Sequence, residues 1–165
     1  MADFSYIELT GFGLATILPR RSADKNAIDV TLDLPLVHDA LARQDDDLTL
    51  LATGPGQWLA YAQVAKPGWV ERLEERFAPV AHVIDQSGGY AIFALSGEDA
   101  ARLLQKGLSI DLAEDAFGVN AVAVSVIAHI GVILHRTGPA SFHIATFRSF
   151  AGSFRHWLDA SAASL

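Results

Sequence analysis

Six histidines, and serines set beside glycines, are the residues of this chain whose chemistry could be put to use. His129, His135 and His143 fall at equal parity on successive apolar segments, so as strand residues they would share one face. Cysteine is absent, no carboxylate lies among the three, and the close histidine pairs of helical zinc sites are missing. Solvent-facing strand histidines are therefore the expectation, not a metal centre. His38, His82 and His156 are expected at the surface or at a rim. Serine catalysis needs a strained Gly-x-Ser-x-Gly elbow, and neither Ser87-Gly88-Gly89 nor Ser96-Gly97 has that spacing. A phosphate cradle needs glycines between a strand and a helix, with backbone N–H groups aimed at the ligand. Gly88-Gly89 lies between two strand-like segments and reads as a hairpin turn. Ser96 reads as a helix N-cap with Asp99 at the capping-box position. Gly11-Phe12-Gly13 is a lone Gly-x-Gly and reads as a strand bulge, and Asp45, Asp46 and Asp47 read as a solvated charge run.

The elements that would position these residues follow from periodicity. Ile7 to Leu18 reads as a strand broken at Gly11 and Gly13, and Ile28 to Leu32 as a short strand. Asp33 and Pro35 start a short helix with Val37, Ala40 and Leu41 inward. Leu48–Thr53 and Gln57–Ala62 are strands around the turn Gly54-Pro55-Gly56. Trp69–Phe77 is an amphipathic helix with Val70, Leu73 and Phe77 on one face. Strands at Val80–Ile84 and Tyr90–Leu95 precede a helix that buries Ala100, Leu103 and Leu104 and stops at Gly107. One helical turn follows Asp111. Strands then run over Ala121–Ala128, Val132–Arg136 and Phe142–Phe147, with turns near Gly131 and at Thr137–Pro139. Ser149 caps a final helix in which Phe150, Phe154, Trp157 and Leu158 recur at helical spacing. The order predicts an α+β fold of two sheet-plus-helix half-domains. The 165 residues suit a single domain (1–165) or two half-domains dividing near 79–80.

The net charge is −7, with 12 basic and 19 acidic residues and no basic cluster, which argues against a nucleic-acid backbone as ligand. Ala121–Leu134 is too short to span a bilayer, and no targeting segment is visible at MADFSYIEL. A cytoplasmic chain with no membrane partner is expected. Over half of the residues are apolar, which calls for a large core or a surface kept for a partner. The aromatic run on the last helix makes Phe150, Phe154 and Trp157 the candidate partner interface. No residue is expected to be catalytic, cofactor-binding or metal-ligating.

Three segments together resemble the gamma subunit family of heterotetrameric sarcosine oxidase. Gly54, Pro55, Trp58 and Leu59 match that family's Gly-Pro-Asp-Glu-Trp-Leu segment. Ser96, Gly97, Ala100, Leu104, Lys106, Gly107, Asp111, Leu112 and Phe117 match its Ser-Gly-x-x-Ala helix and the Lys-Gly-Cys-x-x-Asp-Leu that follows. Arg148, Ser149, Phe150, Trp157 and Leu158 match its Arg-Ser-Phe and Trp-Leu. Leu108 and Ser109 stand where the family often has Cys and Pro, and Gly56 and Gln57 replace its Asp-Glu. The resemblance implies a fold similar to the folate-binding region of the glycine-cleavage T-protein. It implies a non-catalytic accessory subunit in a complex that oxidatively demethylates sarcosine to glycine. It also implies larger alpha and beta flavoprotein partners, a small delta subunit, and FAD, FMN, NAD, zinc and tetrahydrofolate carried by those partners. The isolated chain could pair with itself as a homodimer. The alternative reading is a free-standing folate or pterin binding module, with Asp85 or Asp111 holding the pterin edge.

Overall fold

In a computed structural model, the structure describes residues 3–23, 27–32, 40–45 and 48–165. The strands are β1 (Ser5–Glu8), β2 (Gly13–Pro19), β3 (Ala42–Asp45), β4 (Leu48–Gly54), β5 (Gln57–Ala62), β6 (Ala81–Asp85), β7 (Tyr90–Ser96), β8 (Val122–Ile127), β9 (Ile130–Gly138) and β10 (Ser141–Phe147). The helices are α1 (Ala27–Leu32), α2 (Trp69–Phe77), α3 (Ala100–Leu104) and α4 (Ala151–Ala162), and a 3-10 turn at Arg148–Phe150 leads into α4. The strands form two five-stranded antiparallel sheets, ordered β1-β7-β10-β9-β8 and β3-β4-β5-β2-β6. The chain divides into two compact units, Met1–Thr10 with Gly89–Leu165, and Gly11–Gly88. Positions 79–80, where a division is expected from the sequence, lie between α2 and β6 inside the second of these. Among the described residues no helix is long and apolar enough to cross a membrane.

In the Gly11–Gly88 unit, α2 places Trp69, Leu73 and Phe77 one turn apart, so all three are buried on one stripe. They join Ala15, Ile17, Leu50, Trp58 and Ala60 in the core. Register explains the shared face: Ala15 is opposite Ala60, Ile17 opposite Trp58, and Leu50 opposite Ala60. The turn between β4 and β5 has Pro55 followed by Gly56 at φ 65°, the left-handed position that a type II turn gives to glycine.

In the other unit, Phe93, Leu95, Phe142, Ile144 and Leu134 are buried on one face of the sheet, and Leu103, Leu104, Phe154 and Leu158 are buried on the helices. Phe154 meets Phe93 edge-on at 5.1 Å. The edge strand β1 is fastened to α4 by side chains: Tyr6 Oη donates to Asp159 at 2.6 Å and Arg155 pairs with Glu8. Burial, then the bond to Asp159, pushes the Tyr6 phenol up to about 12.

Arg136 holds the loops of this unit. Its guanidinium is buried and donates to the carbonyls of Leu112 at 3.1 Å, Phe117 at 2.6 Å, Gly138 at 3.3 Å and Pro139, while lying over the Phe142 ring. The fork of five donors meets four acceptors, which offsets the cost of burying the cation.

Several sequence expectations are corrected. Residues 28–32 are helical, not a strand: Ile28 is buried while Val30 is 77% exposed, a pattern that alternating strand faces do not produce. The expected helix from Asp33 lies mostly outside the described residues, but Ala40 and Leu41 are not helical, and Arg43–Asp45 belongs to β3. Of the charge run, Asp46 and Asp47 also lie outside the described residues. Ser87–Gly89 is no hairpin, because β6 pairs with β2 and β7 with β1 and β10. The Ser87 hydroxyl instead donates to the Leu14 carbonyl at 3.2 Å and accepts from the Leu14 N–H at 3.0 Å. Ser96 is the last residue of β7, hydroxyl to hydroxyl with Ser5 at 3.0 Å, and the N-cap of α3 is Asp99. The β8–β9 turn falls at Ala128 and His129, with φ of 47° and 69°, so that Ile127 faces Ile130 and both strands keep their apolar phase. Ser149 makes no capping bond; it sits within the 3-10 turn.

Replacing Arg136 with Ala should lower unfolding stability by roughly 3 kcal/mol, because buried carbonyls lose their donors. Arg136→Lys should recover only part, since a point charge cannot span the same acceptors. Urea titration of the intact chain measures both.

Candidate functional site

Of the three residues expected to form a partner surface, two pack together and one is exposed. Phe154 is fully buried in the core, and Trp157 stacks on it at 5.9 Å and 23°. Phe150, in the 3-10 turn, is 44% exposed. Helical spacing alone groups them, but Phe150 is the N-cap residue ahead of α4, outside the helix that buries Phe154. The exposed partner of Phe150 in sequence is Phe147, 52% exposed, whose ring lies 5.0 Å from Tyr90 across the β7–β10 pair. Tyr90 gave no signal on its own, because its exposure depends on which strand it faces.

The glycines and cations near this cluster are explained by packing. A Cβ on Gly107 would stand 2.7 Å from Trp157 Cζ2 and 3.1 Å from Ile127 Cγ2, so the indole needs a glycine beneath it. Lys106 Nζ donates to the Ser161 carbonyl at 2.9 Å and to Ser164 Oγ at 2.8 Å, closing the C-terminal end of α4. Gly97 has φ 125°, and a Cβ there would meet the Asp3 carbonyl at 2.2 Å. Arg148 donates to the Tyr90 carbonyl, and its own N–H donates to Gly89 at 2.8 Å.

His135 and His143 stand directly opposite each other on β9 and β10, rings edge-on at 6.3 Å. His129 lies in the turn before β9, so its sequence parity does not bring it to them. His135 is buried, against the expectation of solvent exposure, and its two ring nitrogens find no hydrogen-bond partner among the described residues. Burial first, then the neighbouring His143, lowers its pKa to about 4; burial lowers that of His143 as well. Both imidazoles are therefore neutral near pH 7. A depression of about 300 Å³ is lined by His143 with Ser5, Ile7, Ala94, Ser96 and Ser141. Among the described residues, no group of three or more His, Cys, Asp or Glu is placed to hold a metal. His82, at the surface on β6, meets Arg20 at 3.3 Å; His156 is exposed on α4, and His38 lies outside the described residues.

Asp85 and Asp111 fall in different units, and each accepts a bond from its own chain two residues on, Ser87 N–H and Ala113 N–H, both at 2.9 Å. Asp85 also borders a depression of about 350 Å³ with Phe12, Trp69, Lys66 and Glu74. Among the described residues, Asp85 and Asp111 do not come together with a nucleophile.

Residues 21–164 match the sarcosine oxidase gamma subunit family. The sarcosine oxidase subunit gamma of Corynebacterium sp. (strain P-1) is 33% identical over 129 residues, and that of Arthrobacter sp is 31% identical over 125. Each alignment covers 76% of this chain and 62% of the relative, so the chain spans less than two thirds of the curated relatives it matches. A chain of the heterotetrameric sarcosine oxidase from Corynebacterium sp. U-96, solved with pyrrole 2-carboxylate, superposes with a TM-score of 0.86 at 25% identity, covering 98% of this chain and 84% of that one. The glycine cleavage system aminomethyltransferase T from Bartonella henselae shares the fold, with a TM-score of 0.73 at 16% identity over 95% of this chain and 45% of that one.

Gly107→Ala should cost about 1–3 kcal/mol through overpacking, and Trp157→Phe should remove part of that cost in a double-mutant thermal-unfolding cycle. The histidine pair sets a pH dependence of known sign. Folded-state values lie below the unfolded value of about 6.5, so the contribution is full above that pH and is lost as pH falls toward 4. His135→Leu should flatten the loss of urea midpoint between pH 6.5 and 4 relative to the unchanged chain.

Proposed function

The chain belongs to the sarcosine oxidase gamma subunit family, and from that premise we propose that it is a non-catalytic accessory subunit of a heterotetrameric sarcosine oxidase-type complex. The complex would remove the methyl group of sarcosine oxidatively, leaving glycine, and pass the one-carbon unit to tetrahydrofolate. The partners are larger alpha and beta flavoprotein subunits and a small delta subunit, in the cytoplasm, and they carry FAD, FMN, NAD and zinc. The single observation behind this reading is what the family-matching residues do here. Gly97, Lys106, Gly107, Arg148 and Trp157 are engaged in backbone approach, helix capping and ring packing, with no reacting geometry among them.

Among the described residues, the glycines of these turns do not fit a flavin or dinucleotide phosphate. Gly88 and Gly89 lie between β6 and β7, not ahead of a helix, and Gly97 is packed against the Asp3 carbonyl. Its contribution is instead apolar area spent on assembly.

A second reading has one observation in its favour. The depression holding Asp85 with the rings of Phe12 and Trp69 combines a carboxylate with aromatic walls, as a planar pterin-like ligand requires.

Co-expression with the large flavoprotein subunits should yield a complex containing this chain, while the purified chain alone shows no sarcosine turnover. Turnover by the chain alone, or failure to co-purify, overturns the accessory-subunit reading. Quenching of tryptophan fluorescence by folate, abolished by Asp85→Asn, would establish the second reading in its place.

A further inference from the structure

The sheet β1-β7-β10-β9-β8 has one face that carries Phe93, Phe142 and Ile144 and a second that carries no Asp, Glu, Lys or Arg. By register the second face holds Ser5 and Ile7 on β1, Tyr90 through Ser96 at alternate positions on β7, and His143 and Ala145 on β10. On β9 and β8 it holds Ile133 and His135, then Val122, Val124 and Val126. At one end of this face a row crosses four strands. Val126 faces Gly131; Phe147, next after Thr146 opposite Val132, falls level with Gly131 and pairs with Tyr90. Val126 is 51% exposed, Val124 59% and Phe147 52%. A Cβ at Gly131 would meet nothing within 4 Å, so the row has an open notch between Val126 and Phe147.

Val124 and Val126 lie on β8, the last strand of its sheet. Proteins guard exposed edge strands with lysine, proline, bulges or inward charge. The β8 sequence, Val-Ala-Val-Ser-Val-Ile, has no charge and no proline. The Leu108 segment bridges only the Ile127 end of this edge; the rest of β8 joins a charge-free patch of exposed valines and phenylalanine with half-buried Tyr90, the make-up of an obligate interface core.

We propose that this patch, Val124, Val126, Gly131, Phe147 and Tyr90 with Phe150 beside it in sequence, is the surface by which the chain docks on a non-identical, larger subunit. The occupant is a different chain presenting an apolar, uncharged face with a side chain that fills the Gly131 notch. This rests on the accessory-subunit reading, and a second copy is disfavoured because the chain of like fold that covers 98% of this one works within a heterotetramer. Phe154 and Trp157 are support for the patch, held on the core side.

The test is co-expression with the large flavoprotein subunits, reading their recovery through an affinity tag on this chain. Gly131→Glu fills open space and Phe147→Asp charges a half-exposed ring, so both should keep the urea midpoint of the isolated chain near its unchanged value. Each should cut recovery of the large subunits about tenfold or more, while Val64→Asp, on an exposed residue outside the patch, leaves recovery unchanged. Normal assembly of both patch variants overturns this inference alone. Failure of the unchanged chain to assemble overturns the functional reading and the inference with it. A dimer of the isolated chain by light scattering that Phe147→Asp converts to monomer also overturns it, assigning the patch to self-association.

Discussion

A buried guanidinium held by backbone carbonyls governs the unit that contains both ends of the first sheet. Arg136 leaves β9 and holds four carbonyls that belong to two different connections, the turn at Leu112–Phe117 and the β9–β10 turn at Gly138–Pro139. The β9–β10 ladder shifts between Ser141 and Phe142, and it is the Phe142 ring that Arg136 lies over. With the turn fixed on that shift, His143 must face His135 and Phe147 must fall level with Gly131. A slip of one residue would send the histidines and phenylalanine to the opposite side of the sheet. The uncharged face therefore depends on a cation that never touches it.

The family-matching residues have a shared logic. Small residues stand where another chain segment comes close: Gly97 against Asp3, Gly107 against Trp157. The long cations end on carbonyls, Lys106 on α4 and Arg148 on Tyr90. Such residues specify shape, and a protein whose task is to fit against others needs its shape held more than it needs reactive groups. The neutral histidine pair agrees with this, since a charged imidazole there would cost the sheet its buried face.

Local pattern made the helix at Trp69–Phe77, the buried stripe Ala100, Leu103 and Leu104, and most strand positions legible in the sequence, because each is written within about ten residues. Pairing was not. Ser87-Gly88-Gly89 looks like a hairpin turn because glycine pairs usually are, yet β6 and β7 find distant partners in β2 and β10, none nearer in sequence than Ser96 to Ser141. Ile28–Leu32 has strand-like residues but is a helix with one buried side chain. Of the candidate surface, Phe150 was visible as an aromatic in a charge-poor run. Tyr90, Val124 and Val126 were not, since their common row exists only after four strands are laid side by side. Phe154 was misplaced outward because its burial depends on Phe93, distant in sequence.

The order in which the chain leaves the ribosome acquires a meaning from β1. Its ladder partner is β7, and its side-chain ties run to Asp159 and Arg155 near the other terminus. The whole of Gly11–Gly88 is synthesised in between. β1 is therefore made before, and paired only after, a segment that already has every strand its own sheet requires. Its pairing strand and the helix that ties it both follow that unit in the chain.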